Sequence, residues 1–313
     1  MLGFVARRLL ATIPVIGVVA FFVFIMLRLS PIDPAAIIAG EYANPQQVAE
    51  IREKLGLNQP IFSQFFIWLG RLLQGDFGES FFFKKTVAQL IVQRMEPTLA
   101  LTVVTLFIAV IVAVPMGVLA AYRQGSWIDR VVMGFSVLGF SVPVFVFGYS
   151  LIYVFALQLG WFPVQGYTYL RDGFLPFIER LILPSITLSV IYIALIARIT
   201  RTSVLEVLGE DYIRTARAKG LPERIVLRRH ALRNAAVPIV TVIGLGLALL
   251  IGGVVVTESV YSIPGLGRLT VDAVLGRDFP TIQAVILLFS VIYVLINLLI
   301  DIAYTLFDPR IRY

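Results

Sequence analysis

Six stretches of this chain are too apolar and too long for a water-soluble domain: Leu9 to Leu27, Thr98 to Ala121, Val131 to Leu157, Leu181 to Ala197, Val237 to Thr257 and Ile282 to Leu306. A helix needs roughly 20 mainly apolar residues to cross the hydrocarbon of a bilayer. The runs therefore predict an all-α, polytopic membrane protein with six transmembrane helices. Composition agrees, since 59% of residues are hydrophobic and 14% charged, where soluble domains carry about a quarter charged. An even number of crossings places both termini on one side.

Charge gives the direction. On the side of the amino terminus lie 15 of the 26 Lys and Arg with seven of the 19 acids, a net of +8, against 11 and 12, a net of −1, on the other. Cytoplasmic segments near span ends hold the basic excess, so both termini are predicted to be cytoplasmic. Topology thus accounts for the net charge of +7, and a nucleic-acid partner has little left to explain. The first run is read as a retained anchor rather than a cleaved signal peptide. Arg7 and Arg8 precede it, but it has about the length of a full span, ends at Arg28 and shows no small-x-small site before Pro31.

Residues 28–96 form a long loop on the opposite, external side. Asn44-Pro45 opens Gln46 to Leu55 as a capped helix start with proline in the first turn. Gln59 to Leu73 presents Phe62, Phe65, Phe66, Leu69 and Leu73 at helical spacing. These read as amphipathic helices at the membrane interface with Trp68 as an anchor, or as a docking surface for an external partner. In the fifth span Gly244, Ala248 and Gly252 recur four apart, with Gly246 and Gly253 widening the stripe, which lets another helix approach closely. On its own this is ordinary helix packing. The repeated Gly-Phe-Ser-Val at 134–137 and 139–142 is too short for a repeat architecture.

Several chemistries are excluded by residue type. The chain has no cysteine and one histidine, His230, so a thiolate site, a zinc site and a Ser/His pair within the bilayer are unsupported. None of Lys54, Lys84, Lys85 and Lys219 follows a glycine, as a phosphate-cradling loop requires. A secondary transporter or channel would place charges in mid-membrane. The candidates Asp301, Glu258 and Arg198 fall near span ends, where a charge is cheap to keep.

Residues 198–236 form the longest internal loop, which is basic and helix-forming. Its helix runs to Lys219 and stops at Gly220 before Pro222. A second helix leads back through Asn234 and Pro238. A short exposed helix braced between two spans is suited to pass a push from a soluble partner, although a solvated basic loop explains the same residues more simply.

The stretch Glu210-Asp-Tyr-Ile-Arg-Thr-Ala-Arg-Ala-Lys-Gly220, followed by His230-Ala-Leu-Arg-Asn234 and Pro238, resembles the signature of bacterial ABC importer permeases of the dipeptide, oligopeptide and glutathione group. Arg214-Thr215-Ala216 takes the place of the general Glu-Ala-Ala, with Gly220 at the right offset. The likeness extends over nearly the whole chain through Met1 to Pro14, Ser30-Pro-Ile-Asp-Pro34, Leu55-Gly-Leu-Asn-Gln-Pro60, Gly75-Asp-Phe-Gly-Glu-Ser80, Pro264-Gly-Leu-Gly267, Arg277-Asp-Phe-Pro280 and Asp308-Pro-Arg-Ile-Arg312. Ile32 stands where the group usually has glycine.

This resemblance implies a type I ABC importer transmembrane domain in the bacterial inner membrane. Residues 1–96 would form the first span with an external loop, and 97–313 a core permease domain. The implied ATPase-coupling residues are Glu210, Asp211, Tyr212, Arg214, Thr215, Ala216, Arg217, Ala218, Lys219 and Gly220. Gly244, Ala248, Gly252 and Glu258 would border the translocation path. The implied partners are a second homologous permease forming a heterodimer, two ATPase subunits, an external substrate-binding protein, membrane lipid and a peptide cargo. Glutathione, a nickel complex or another small solute is the alternative cargo. The chain itself would be non-catalytic and need no cofactor.

Overall fold

The computed structural model describes residues 2–29, 33–39, 44–54 and 56–307. Ser30 to Ile32, Leu55 and the Asp308–Arg312 motif lie outside the described residues. The chain begins with α1 (Leu2–Arg28), α2 (Pro34–Ala39), α3 (Pro45–Lys54) and α4 (Ile61–Leu73), then a hairpin of β1 (Glu79–Ser80) and β2 (Lys85–Thr86). There follow α5 (Val87–Tyr122), α6 (Trp127–Ser141), α7 (Val144–Leu151) with a π-helical continuation Ile152–Gln158, α8 (Phe174–Leu208) and α9 (Asp211–Ala218). Next come α10 (Glu223–Ile225), a π turn Val226–Ala231 and α11 (Leu232–Asn234). Last are α12 (Ala236–Val260), α13 (Leu266–Leu275) and α14 (Phe279–Phe307). The fold is all-α apart from that short hairpin.

Helices α1, α5, α8, α12 and α14 are long and apolar enough to cross a bilayer, and α6 with α7 makes a sixth crossing if the pair counts as one. With no water in hydrocarbon to pair backbone groups, each apolar run satisfies its own hydrogen bonds by folding as a helix. The third apolar run is not one straight helix, because α6 and α7 meet at 103°. Pro143 is the cause. It has no N–H to continue the ladder and forces its predecessor out of the helical region, so Val142 sits at φ −91°, ψ 123°.

Two compact units divide the chain. One comprises the residues up to Met95 with Leu269–Val294, and the other Glu96–Arg268 with the residues from Leu295. In the first unit Asn44 caps α3 as expected: its Oδ1 accepts from the Gln47 N–H at 2.8 Å while Gln47 Oε1 accepts from the Asn44 N–H at 3.0 Å. This is the reciprocal pairing of a capping box. On α4, Phe65 and Trp68 turn toward α1, each with its ring 5.5 Å from that of Phe24. Trp68 is thereby a packing residue against α1, and the exposed apolar face of α4 is carried by Phe62 and Phe66. The hairpin meets the start of α14. Ser80 Oγ donates to Asp278 Oδ2, which also accepts from Thr281 Oγ1 at 2.7 Å. A Cβ on Gly276 would come within 2.7 Å of the Phe82 ring. The motifs at 75–80 and 277–280 therefore form one junction.

The second unit is built around α8, whose buried residues run from Phe177 to Val204. With little hydrophobic drive between helices in lipid, close approach of small residues holds such bundles together. A Cβ on Gly117 of α5 would lie 2.6 Å from the Ala197 carbonyl oxygen. On α12, Gly253 faces Leu188 and Gly246 faces Tyr192. On α7, Gly148 lets in Thr187 and Tyr261, whose hydroxyls meet at 2.7 Å.

Candidate functional site

The segment between α8 and α12 is a seated helix rather than a loose loop. Ile213 and Ala216 of α9 are buried and pack with Val226, Val207, Leu208 and Leu221. Asp211, Tyr212, Arg214, Thr215, Arg217, Ala218, Lys219 and Gly220 remain exposed, as does Glu210 before the helix. Of the coupling residues implied by the sequence, Ala216 thus faces inward and the others line one outward surface.

The helix ends where the sequence predicts, and the geometry explains the glycine. Gly220 has φ +75°. Its N–H donates to the Arg217 carbonyl at 2.9 Å, and the Leu221 N–H donates to the Ala216 carbonyl at 3.4 Å. These are the two bonds of a Schellman stop, with Leu221 supplying its apolar contact. Arg217 then pairs with Glu223 at 2.7 Å, which fixes the chain beyond the stop and raises the guanidinium's affinity for its proton. Partial burial and nearby Glu210 push the Tyr212 phenol upward, opposed by a hydrogen bond with Asn234. Asn234 Nδ2 itself donates to the His230 carbonyl at 2.6 Å, within the second stretch of the signature. The Asp211–Arg214 pair, at 3.3 Å and exposed, adds little to stability.

The four residues implied for the path fall into different surroundings. Gly244 is buried, and a side chain there would overlap Ile300 of α14. Gly252 is exposed with nothing near its Cβ position, and Ala248 is half-buried. Glu258 stands two residues before the end of α12, at the span end where the sequence reading has it, but it is fully buried within the protein. Its carboxylate accepts from Thr98 Oγ1 at 2.5 Å and from the Arg268 N–H at 2.8 Å. The turn after α12 folds back over it: side chains on Gly265 or Gly267 would strike the carboxylate or the α12 backbone.

One polar contact escaped the sequence reading. Asp129, at the third position of α6, receives Arg201 of α8 at 2.5 and 2.8 Å and also accepts from the Gly125 N–H at 2.9 Å. The signal available was Ser126-x-x-Asp129, a helix-start pattern. Its partner lies 72 residues away. Among the described residues no group of His, Cys, Asp and Glu is arranged to hold a metal ion.

The family described as "Binding-protein-dependent transport system inner membrane component" matches residues 113–313, and the amino-terminal portion described for the same systems matches residues 1–102. A probable peptide ABC transporter permease of Sinorhizobium fredii is 57% identical over 310 residues, 99% of each chain. The glutathione transport system permease protein GsiC of Escherichia coli strain K12 is 45% identical over 313 residues, all of both chains. In fold the chain is similar to a subunit of the MetNI methionine ABC transporter in an inward-facing conformation. The TM-score is 0.58 at 22% identity, over 70% of this chain and 97% of that one.

Proposed function

This chain belongs to the family of binding-protein-dependent transport system inner membrane components, and on that premise we propose that it is one of two related permeases forming the membrane path for di- and oligopeptides. The observation that carries the reading is α9, a short helix with an exposed outer face and an apolar inner face seated on the end of α8. Such an element transmits force without doing chemistry. The exposed residues from Glu210 to Gly220 are assigned to contact with one of two ATPase subunits, and Ala216 to bracing that contact from behind. An external binding protein delivers cargo, with residues 1–96 as the first span and external loop and 97–313 as the core permease. The charge asymmetry between the two sides supports a cytoplasmic position for both termini and α9.

Peptide cargo is favoured by the Sinorhizobium fredii relative, which is similar along its whole length. Glutathione is the second reading, favoured by the Escherichia coli relative. Reconstitution with its permease partner, ATPases and binding protein in proteoliposomes decides between them. ATP-dependent uptake of labelled dipeptides and oligopeptides, weakly inhibited by glutathione, is the expected result. Uptake of glutathione alone moves the cargo to the second reading, and uptake that needs no ATPase overturns the proposal. Orientation is read separately: a cysteine at Lys219, in a chain that has none, should react only from the cytoplasmic side.

A further inference from the structure

We propose that the Asp129–Arg201 ion pair is a positioning device that pins the register of α6 against α8, so that movement of α9 reaches the bend between α6 and α7. The inference rests on the coupling role proposed for α9 and assigns two residues to it beyond the signature.

The argument starts at α9. Its buried residues Ile213 and Ala216 pack on Val207 and Leu208, the last turn of α8. Arg201 lies seven residues before that end, about 10 Å along the axis, and the prolines of α8, Pro176 and Pro184, are far toward its start. The segment from Arg201 to Leu208 therefore moves as a rod with α9 at its tip.

The buried face of α6 consists of Asp129, Val132, Ser136 and Gly139. Beyond Asp129, it has one branched residue, Val132, and two small ones. At its far end the Gly139 Cβ position would lie 3.0 Å from Ala194 Cβ. Small side chains give closeness but few ridges to resist sliding. The ion pair differs in being directional. Both guanidinium contacts go to one carboxylate, whose side chain is 7% exposed and is held to its own helix start by the Gly125 N–H. Buried ion pairs add little net stability, and their best-attested role is to fix register. Pinned at Asp129, α6 carries displacement of α8 to Pro143, where the pair bends through 103°.

The test uses the complete transporter with Asp129→Asn, Arg201→Gln and the exchanged pair Asp129→Arg/Arg201→Asp. Uptake and binding-protein-stimulated ATP hydrolysis are measured on complexes shown by co-purification to be intact. Each single variant should lose about tenfold in uptake, a usual size for coupling between sites, while hydrolysis stays stimulated, and the exchange should recover part of the loss. Uptake within twofold of wild type in both single variants overturns the proposal, as does parallel loss of uptake, hydrolysis and assembly. A readout independent of cargo separates this inference from the peptide assignment. Spin labels on cysteines at the exposed Val137 and Thr202 should give one narrow distance distribution with and without ATP. Asp129→Asn should widen it, and an unchanged distribution in that variant sinks the idea even if the cargo is not a peptide.

Discussion

Thr98 and Glu258, 160 residues apart, share a buried hydrogen bond of 2.5 Å, and the same Thr98 hydroxyl oxygen accepts from the Leu266 N–H at 2.8 Å. One hydroxyl thus links α5, the end of α12 and the start of α13. Thr98→Val keeps the shape and deletes both bonds. It should cost about 1–3 kcal/mol for each buried group left bare, read as a lower thermal midpoint of the purified complex. Thr98→Ser should stay close to wild type.

Gly265 and Gly267 are predicted to be intolerant of alanine for want of space. A methyl on Gly265 falls on the Glu258 carboxylate, and one on Gly267 comes within 2.7 Å of the Val255 Cα. Overpacking of this kind costs about 1–3 kcal/mol. Both alanine variants should show reduced thermal stability, whereas Gly252→Ala, which meets nothing, should match wild type. Equal midpoints for all three would contradict the folded-back turn.

At Gly220 space is open and the constraint is the backbone, at φ +75°. Gly220→Val should cost about 1–2 kcal/mol and fray the end of α9, lowering uptake and stimulated ATP hydrolysis together. Gly220→Asn, a residue that visits this conformation more readily, should retain most of both. If valine and asparagine behave alike, the helix stop is not what the ATPase contact depends on.

The stripe on α12 should divide under enlargement. Gly244→Leu drives a side chain into Ile300 and is expected to weaken assembly. Leucine at Gly252 should leave insertion and co-purification intact, being apolar and unobstructed, and reduce peptide uptake if that face borders the path. Normal uptake in Gly252→Leu removes Gly252 from it.

Properties set within a few residues were readable from the sequence: the apolar runs, the Asn44-Pro45 start of α3 and the glycine stop after α9. Gly220 was legible because helix end, positive φ and the following proline are all local. The 103° elbow was not read, since a hydropathy run sums apolarity and is blind to direction, although Pro143 stood inside it. Glu258 looked interfacial because it closes an apolar run. The return of Gly265 and Gly267 over it and the contact with Thr98 of α5 explain its burial. Asp129 and Arg201 lie 72 residues apart, and nothing local marks them as partners.

Ser80 and Asp278 are 198 residues apart. A ribosome adding about 5–20 residues per second therefore needs roughly 10–40 s after making the hairpin before it supplies the carboxylate that Ser80 bonds. Through that interval the first unit stands in the membrane without its closing strip, Leu269–Val294, and with a serine awaiting its acceptor. Nascent chains arrested before residue 269 should accordingly be cut by protease in the hairpin region, and chains extended past residue 294 should be protected there. The length of that window is set by the order in which the polypeptide emerges.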